Sequence, residues 1–493
     1  MYLLGLDIGS SSIKAALVET ATRKTIAVVQ SPTTEMEMHA AQVGWAEQDP
    51  AMWWKNVCLA TQQLLTENNI QSTDIQGIGI AYQMHGLVVI DKNQQVLRPS
   101  IIWCDSRAVE IGEAAFNHIG HEKSLAHHLN SPGNFTAAKL KWVKENEPEI
   151  YAQIDKIMLP GDYIAMKLTG EVMTTVSGLS EGIFWDFKNQ QVSDLILEEF
   201  DFDKKVIPAI VPTCSQQGKV TTTAAVETGL SAGISVAYRA GDQPNNALCL
   251  NVLEAGEVAA TGGTSGVVYG VVDKPVFDAQ SRVNGFAHVN YSTDNQRVGI
   301  LLCINGAGSQ YAWIKKNIAE SGLSYSEMEQ QIAQIPIGAD GLQMLPFGNG
   351  AERMLCNKNI GSQIINLQFN RHSRAHIFRA ALEGIAFAFV YGMEILGDMG
   401  MDVSVMRVGN DNLFQSPVFA NTIATLMNTR IDVIETTGAV GAAKAAGVAT
   451  GGYMDLAEAM EGLTILKSYV PQANKVEYQT AYNSWHQNLV SQL

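Results

Sequence analysis

The sequence has few features that would direct it to a membrane or to nucleic acid. Its 493 residues include 33 Lys and Arg against 49 Asp and Glu, which gives a net charge of −16. Clustered contacts with nucleic-acid phosphates are therefore not expected. No uncharged apolar run approaches the length of a membrane span. The N-terminus lacks the basic and then apolar pattern of a secretory signal, so we expect no membrane partner.

The sequence also lacks any C-x-x-C pair. Its six cysteines are scattered, and free thiols in a reducing cytoplasm are the simplest explanation. The hydrophobic and charged fractions, 46% and 17%, are those of a globular protein. The length predicts two or three domains with large cores.

The first twenty residues predict a strand, a tight turn and a second strand. Segments 2–8 and 13–19 are short and apolar. The turn between them consists of Gly9, Ser10, Ser11 and Ser12. Its N–H groups and hydroxyls suit an anion, Lys14 adds a positive charge, and Asp7 could hold a hydrated metal ion. A hairpin with a polar tip is the alternative, because short Gly/Ser motifs recur by chance.

A second polar cluster follows a predicted buried strand. The strand over 75–81 runs into Gln83, Met84 and His85, and ligand contacts are common where strands of α/β sheets end. Taken alone, His85 could equally be a core histidine.

A third polar segment contains Trp103, Asp105 and Arg107. Trp103 could form the wall of a small-molecule pocket, or it could pack in the core. Asp105 and Arg107 could form a simple ion pair.

Asp242 is the candidate general base. It follows a glycine and precedes amide side chains, and a carboxylate in such a place can accept a proton from a hydroxyl. The alternative is an Asx-turn before a helix, which is common.

The opening pattern recurs about half a chain later. Segments 257–261 and 267–272 predict strands, and Gly263 and Thr264 lie in the turn between them. Two such units indicate an internal duplication. Two such turns, facing each other across a cleft, could hold a polyphosphate.

Further elements are expected in both halves. Residues 174–182 are rich in Thr, Ser and Gly and predict a loop. A long helix is predicted from Arg374 to Leu396, a close-packed Ala/Gly helix from Gly438 to Gly451, and a short helical tail after about Tyr469.

The motif Asp7-x-Gly9-Ser10-x-Ser12 resembles the first phosphate turn of the actin/hexokinase/heat-shock ATPase fold. Over essentially its whole length the chain is similar to the FGGY family of carbohydrate kinases. Residues 136–146 match one family signature except at its first position, where Asn134 stands, and residues 380–385 match the start of a second signature.

Other motifs are similar to the xylulokinase branch of that family. They are the stretch Gln83-Met84-His85-Gly86, the motif Trp103-x-Asp105-x-Arg107 and the pair Gly241-Asp242. The resemblance implies an α/β fold of two actin-like ATPase (ribonuclease H-like) domains with a cleft between them. We expect an N-terminal FGGY domain over residues 1–243 and a C-terminal FGGY domain over residues 244–493.

The resemblance also implies a role for each matching residue. Asp242 would be the general base, and Asp7 would help to place Mg²⁺. The acceptor sugar would contact Gln83, Met84, His85, Trp103, Asp105 and Gln243. The nucleotide would contact Gly9, Ser10, Ser11, Ser12, Lys14, Gly263, Thr264, Gly306, Gln310, Gly409, Asn410 and Asn412.

One departure from the family concerns the adenine loop. The family has a Gly-Gly-x-Ala-like run there, whereas this chain has Gly409-Asn410-Asp411-Asn412. Asn410 and Asp411 could bond the adenine or ribose, or they could reshape the pocket, which leaves the preferred nucleotide open.

The expected activity is ATP-dependent phosphorylation of D-xylulose to D-xylulose 5-phosphate in the cytoplasm, with a homodimer as a family-based expectation. Three alternatives remain at this point. The acceptor could be L-ribulose, gluconate or a polyol, the chain could be an actin-like nucleotide-dependent binding protein, or it could be a non-catalytic sugar sensor.

Overall fold

The computed structural model of the chain describes residues 1–410 and 412–493. The strands are β1 (Tyr2–Ile8), β2 (Ile13–Glu19), β3 (Thr25–Ser31), β4 (Glu47–Gln48), β5 (Ile75–Tyr82), β6 (Val88–Ile90), β7 (Ser100–Ile101), β8 (Lys156–Met158), β9 (Met173–Thr175), β10 (Trp185–Asp186), β11 (Gln191–Val192), β12 (Ala209–Val211), β13 (Ser235–Gly241), β14 (Glu257–Gly262), β15 (Gly266–Val272), β16 (Asn284–Ala287), β17 (Val298–Ile304), β18 (Gln343–Phe347), β19 (Gly361–Ile365), β20 (Val405–Gly409), β21 (Ile431–Ile434) and β22 (Ile465–Tyr469).

The α-helices are α1 (Pro50–Glu67), α2 (Val109–Ile119), α3 (His121–His128), α4 (Thr136–Asn146), α5 (Pro148–Tyr151), α6 (Pro160–Thr169), α7 (Val176–Glu181), α8 (Asp194–Phe200), α9 (Thr222–Thr228), α10 (Asp242–Cys249), α11 (Ala307–Asn317), α12 (Tyr325–Ile332), α13 (Arg374–Asp398), α14 (Pro417–Met427), α15 (Gly438–Ala449), α16 (Leu456–Ala459) and α17 (Lys475–Val490). Short 3₁₀ turns lie at Ser72–Asp74, Lys204–Val206, Ala339–Gly341, Arg353–Leu355 and Asn412–Gln415.

The first half of the chain forms a five-stranded sheet in the order β13-β5-β1-β2-β3. The bounds predicted for β1 and β2 are confirmed, and these two strands are antiparallel with Asp7 opposite Lys14. Strands β1, β5 and β13 are parallel. Their carboxyl ends therefore meet at one edge of the sheet, which brings together side chains that are far apart in sequence.

The second half forms a seven-stranded sheet in the order β16-β17-β15-β14-β20-β21-β22. Its centre repeats the connectivity of the first sheet. Strands β14 and β15 form an antiparallel hairpin, and β14 and β20 pair in parallel, as do β20 and β21. The internal duplication predicted from the two strand–turn–strand units is confirmed by this shared topology.

Helix α15 lies late in the sequence but packs on the first sheet, against β1, β5 and β13. The approach is close because the strands carry glycines beneath the helix. A Cβ atom on Gly5 would lie 1.8 Å from the Ala439 carbonyl oxygen, and one on Gly79 would lie 1.8 Å from that of Ala442. Helix α1 contacts the sheet at β2 and β3.

Helix α13 is the long buried helix of the second half. By length and composition it could cross a membrane, but 83% of its most apolar window is buried within the protein. It begins at Arg374, as predicted, and ends two residues later than expected, at Asp398.

One expectation from the sequence is wrong. Residues 174–182 are not a loop, because β9 ends at Thr175 and α7 follows, with the Thr175 hydroxyl accepting a hydrogen bond from the Gly178 N–H at 3.0 Å. The helix has only six residues, and its Ser/Gly composition hides it. The helical stretch predicted after about Tyr469 is confirmed as α17, which packs into the core through the fully buried Trp485.

The two halves are joined by hydrogen bonds at β16, the edge strand of the second sheet. Asn130 of the first half accepts a hydrogen bond from the Gly285 N–H at 3.1 Å and donates one to the Gly285 carbonyl at 2.7 Å. The Ser180 hydroxyl accepts from the Ala287 N–H at 2.9 Å. These contacts fix the second half against α7 and the segment before α4.

Candidate active site

The turn at residues 9–12, called the first turn below, is held by hydrogen bonds to its carbonyl groups. The Ser10 carbonyl accepts from the Gln48 side chain at 2.7 Å, and the Ser11 carbonyl accepts from the Met36 N–H at 2.8 Å. The Ser12 carbonyl accepts from the Gly9 N–H at 3.1 Å. With its carbonyls occupied by protein donors, the turn presents small polar side chains to the space in front of it.

That space is a cavity of about 250 Å³, called cavity A below. Nine residues singled out from the sequence line it: Asp7, Gly9, Ser10, Ser11, Ser12, Lys14, Gln83, Trp103 and Asp242. The structure thus brings together the first turn, the end of β5 and the start of α10. The half-exposed Trp103 donates from its indole nitrogen to the Ser10 hydroxyl at 3.3 Å.

Asp7 acts electrostatically on Asp242 in cavity A. Burial raises the pKa of Asp242 to about 7, and the negative charge of Asp7 acts in the same direction, whereas hydrogen bonds from Gln243 oppose the rise. Burial also raises the pKa of Asp7, and Lys14 lowers it. A carboxyl with a pKa near neutrality is suited to accept a proton.

Gln83 is buried, with 2% of its surface exposed, and neither atom of its side-chain amide has a hydrogen-bond partner among the described residues. Buried polar atoms are normally satisfied. Because Gln83 lines cavity A, its free donor and acceptor are matched to a polar ligand.

His85 adopts a left-handed backbone conformation, with φ at 41°, which is uncommon for a residue other than glycine. Its ring packs edge-on against Phe135 at 5.0 Å between centroids, and its Nδ1 atom is buried without a partner among the described residues. Burial lowers the pKa of His85 well below its ordinary value, and the charges of Lys139 and Arg353 act in the same direction. The imidazole is therefore neutral.

Lys139 was noted in the sequence only as part of a family signature. Its buried ammonium group donates to the His85 carbonyl at 3.1 Å and to the Ile102 carbonyl at 3.0 Å. Burial lowers the pKa of Lys139 to about 7, whereas the charge of Asp105 opposes this shift. The side chain ties the segment that carries His85 to the segment that carries Trp103.

Asp105 does not line cavity A. Its carboxylate is fully buried, accepts from the Ala46 N–H at 2.6 Å and pairs with the Arg107 guanidinium at 2.7 Å. Arg107 in turn lies over the ring of Trp45 at 3.8 Å. In this conformation Asp105 supports the loop after Trp103, which is the ion-pair alternative stated for the sequence.

Met84 and Gln243 lie beside cavity A. Met84 is buried and sits against Gly241, where a Cβ atom would lie 2.8 Å from its Cγ atom. Gln243 is partly buried and bonds to Asp242. Met84 therefore lies next to the residue before Asp242 and Gln243 contacts Asp242 itself, although neither side chain borders the cavity.

The turn at residues 263–265, called the second turn below, is bonded to helix α11. Its Gly263 carbonyl accepts from the Gly308 N–H at 3.1 Å, and its Thr264 carbonyl accepts from the Ser309 N–H at 2.9 Å. A Cβ atom on Gly308 would lie 2.2 Å from the Gly263 oxygen, so this approach requires glycine.

Helix α11 and the β18–β19 hairpin enclose a second cavity of about 450 Å³, called cavity B below. Gly306 and Gln310, both singled out from the sequence, line it together with Trp313 and Ser362. The Gln310 amide bonds to the Ser362 hydroxyl through one atom and leaves the other buried without a partner among the described residues. Cavity B therefore offers a free polar group beside an aromatic side chain.

Gly409 and Asn410 do not line cavity B. Gly409 ends β20, Asn410 follows it, and the Asn410 N–H donates to the Ile434 carbonyl at 3.1 Å. Since β20 pairs with β14, this loop adjoins the second turn on the side away from α11. Asp411 and the side chain of Asn412 lie outside the described residues.

Two residues near cavity A had no signal of their own in the sequence. Gly438, at the start of α15, would place a Cβ atom 2.5 Å from the Asp7 carboxylate. Glu181, at the end of α7, is 1% exposed and lies 2.5 Å from where a Cβ atom on Gly241 would stand. Burial raises the pKa of Glu181 well above its ordinary value.

Family comparisons agree with this geometry. The N-terminal domain model of the FGGY family of carbohydrate kinases matches residues 2–249, and the C-terminal domain model matches residues 258–450. The chain belongs to the FGGY family. FGGY proteins are carbohydrate kinases, so this chain is a phosphotransferase with ATP as donor and an alcohol group as acceptor.

Relatives of this FGGY chain span its whole length. A xylulose kinase of Bacillus subtilis is 28% identical over 98% of this chain and 95% of its own. An L-xylulose/3-keto-L-gulonate kinase of Escherichia coli is 29% identical over 100% of this chain and 97% of its own. A xylulose kinase structure from Rhodospirillum rubrum superposes with a TM-score of 0.90 and 26% identity, covering 100% of this chain and 99% of that one.

These findings confirm the fold class predicted from the sequence, two actin-like ATPase domains with a cleft between them. They also decide between a carbohydrate kinase and an actin-like binding protein or sensor in favour of the kinase.

Proposed function

We propose that this FGGY kinase phosphorylates D-xylulose at O5, with Asp242 as general base. The observation that carries the proposal is the position of Asp242, whose raised pKa suits a base, in the same cavity as the first turn. The similarity to xylulose kinases over nearly the full length supports this acceptor.

In the proposed reaction, the sugar lies against Gln83, His85 and Trp103. The carboxylate of Asp242 accepts the proton of the O5 hydroxyl as this oxygen forms a bond to the γ-phosphorus of ATP. The bond between the γ-phosphorus and the β,γ-bridging oxygen breaks, and ADP leaves. Phosphoryl transfer of this kind requires mainly positioning and charge stabilisation.

The two turns are proposed to hold the β- and γ-phosphates. Residues 9–12 and Lys14 contribute from the first half, and Gly263 and Thr264 contribute from the second. Gly306 and Gln310 on one side of the second turn, and Gly409, Asn410 and Asn412 on the other, would hold the nucleoside. The hydrogen bonds from α11 to the second turn support this arrangement, because they hold the residues proposed for the nucleoside next to those proposed for the phosphates.

The donor set near Asp7 fits Mg²⁺. Within residues 1–410 and 412–493, no group of three His, Cys, Asp or Glu side chains could hold a metal ion by itself. Asp7 and Asp242 share cavity A, and Mg²⁺ typically uses one or two carboxylates together with substrate phosphates and water. When bound, Mg²⁺ would neutralise phosphate charge during transfer.

The division into domains at residue 243 remains part of the proposal. The first sheet ends with β13 at Gly241, and the second sheet begins with β14 at Glu257, which supports it. Helix α15 is an exception, since it packs on the first sheet. A cytoplasmic location and a homodimer also remain predictions.

The first test is coupled ADP release with MgATP and a panel of acceptors. The panel contains D-xylulose, L-xylulose, L-ribulose, D-ribulose, gluconate, glycerol and xylitol. Turnover with D-xylulose well above the others is expected. Preference for L-xylulose, L-ribulose or gluconate would keep the kinase and replace the acceptor.

The second test replaces the base. Asp242→Asn should lower kcat by roughly 10²- to 10⁴-fold, the usual contribution of general base catalysis. ADP affinity, measured by calorimetry, should stay close to that of the wild type because the phosphate turns are intact. Near-normal turnover of this variant would remove Asp242 as the base.

A further inference from the structure

Arg353 begins a 3₁₀ turn in the second half of the chain, at the end of a glycine-rich loop. The turn packs against β17 of the second sheet. Its guanidinium donates to the Ser281 hydroxyl at 3.4 Å and to the Ser281 carbonyl at 3.5 Å, which are long hydrogen bonds. No Asp or Glu oxygen of the described residues lies within 4.0 Å of this guanidinium.

The preceding residue, Glu352, points to a different part of the cleft. Its fully buried carboxylate accepts from the Asn305 N–H at 3.0 Å, and burial raises its pKa to about 7 against the effect of the Asn305 and Gly306 N–H groups. Glu352 thus holds the start of α11, on the nucleotide side of the proposed site.

Arg353 lies beside the segment that leads into β16. Its Ser281 partner precedes β16, and Phe286 of β16 contacts Phe135 at 6.0 Å between ring centroids; Phe135 in turn packs on His85. These contacts connect the surroundings of Arg353 to the stretch of the first half that carries His85. In agreement with this packing, the positive charge of Arg353 is one of the influences that lower the pKa of His85.

The thiol of Cys303 lies near the end of β17, the strand against which the turn of Arg353 packs. Burial raises the pKa of this thiol to about 11; the charge of Arg353 opposes the rise, while the charges of Glu352 and Asp242 add to it. The charges of Arg353 and of the proposed base thus both act on one side chain of β17.

We propose that Arg353 is an acceptor-binding residue supplied by the second half of the chain, and that its guanidinium donates to an oxygen of the sugar beside His85. The proposal rests on the proposed function. A guanidinium offers five N–H donors and no acceptor, which suits hydroxyl and carbonyl oxygens next to the neutral imidazole. The sugar would then touch both halves, and its binding would favour closure of the cleft.

The test compares Arg353→Met and Arg353→Lys with two controls. Ser281→Ala removes the hydroxyl partner of Arg353, and Arg371→Met removes an exposed arginine that pairs with Asp340. Steady-state kcat and KM for the acceptor and ADP affinity by calorimetry are measured for each protein. If Arg353→Met does not fold, as judged by its thermal melt, Arg353→Gln replaces it.

Arg353→Met should raise the acceptor KM roughly 10- to 100-fold, the effect of losing a charged hydrogen bond. The kcat and the ADP affinity of Arg353→Met should change little. The acceptor KM of Arg353→Lys should lie between those of the wild type and Arg353→Met, and both controls should have the kinetics of the wild type. A fall in kcat at constant KM would assign the guanidinium to the transferred phosphoryl group instead and overturn the proposal. Weaker ADP binding, or no change at all, would also overturn it.

The wild-type panel keeps the two proposals separate. If the best acceptor is not D-xylulose, the substrate proposal fails, and the Arg353 comparison is made with that acceptor. If no acceptor is turned over, direct binding of D-xylulose to the ADP complex is compared between the wild type and Arg353→Met, and equal affinity overturns the proposal.

Discussion

At the scale of single residues, Asp242 is the group on which the chemistry depends, and its surroundings disfavour its charged form. Burial and the charge of Asp7 raise its pKa to about 7, and hydrogen bonds from Gln243 oppose the rise. The residue is therefore poised to take up a proton near neutrality, at a cost to the stability of the unliganded protein.

This pKa predicts the pH dependence of the reaction. Below about pH 7 the carboxyl binds a proton and cannot accept another, so kcat/KM for the acceptor should fall about tenfold per pH unit as the pH decreases. Replacing Gln243 by Ala removes the side-chain hydrogen bond that lowers the pKa of Asp242, keeps the backbone one, and should move the midpoint to higher pH. A kcat/KM that stays constant across this range would contradict the assignment.

The same residues show what the sequence could and could not predict. Asp7, residues 9–12, Gln83, Trp103 and Asp242 were singled out from local sequence patterns, several of them at the ends of predicted strands, and the structure places all of them around cavity A. Position after a strand does not reveal which polar groups are already satisfied. Asp105 is bonded to Arg107 and Ala46, a pairing that depends on contacts distant in sequence.

At the scale of elements, helix α15 determines how closely the two halves approach. Its backbone lies directly on glycines of β1 and β5, and its first residue, Gly438, touches the Asp7 carboxylate. The helix covers the first sheet and borders cavity A at the same time. Its Ala/Gly composition was recognised in the sequence, but the sheet it packs on was not, because composition does not specify a partner.

Substitution of the strand glycines tests this packing. Gly79→Ala should destabilise the protein by at least about 3 kcal/mol, because the new methyl group would collide with the Ala442 carbonyl and the helix would have to move. The measurement is the free energy of unfolding in urea. The control is Gly397→Ala in α13, where, within the part of the chain that the structure describes, no atom other than the adjoining backbone of the same helix lies within 4 Å of the new Cβ. Equal stability of the two variants would contradict the model of close packing.

At the scale of the whole molecule, the two halves are connected by specific polar contacts at β16. Asn130 makes three such bonds, to the backbone of Gly285 and to the side chain of Asn284. Opening or closing of the cleft must either preserve these bonds or break them. The sequence predicted two domains and their shared topology, but the docking of an edge strand leaves no periodic pattern to recognise.

Asn130→Ala should lower stability by about 2–4 kcal/mol, because buried donors and acceptors of β16 lose their partners. Calorimetric unfolding measures this, and cleavage by a protease between the halves should become faster. Asn146→Ala, which removes an exposed asparagine whose side chain bonds to the Trp142 carbonyl of its own helix, serves as the control. An unchanged melting temperature for Asn130→Ala would mean that these bonds contribute little.

The placement of α15 also has a consequence for synthesis of the chain on the ribosome. Gly5 lies in β1, yet the carbonyl it packs against belongs to Ala439. Until α15 has emerged, the face of the first sheet on which this helix packs has no native cover, and contacts so distant in sequence form slowly. Folding of the first half is therefore completed only after α15 has been translated, and a nascent chain that stalls before this helix would expose an aggregation-prone sheet.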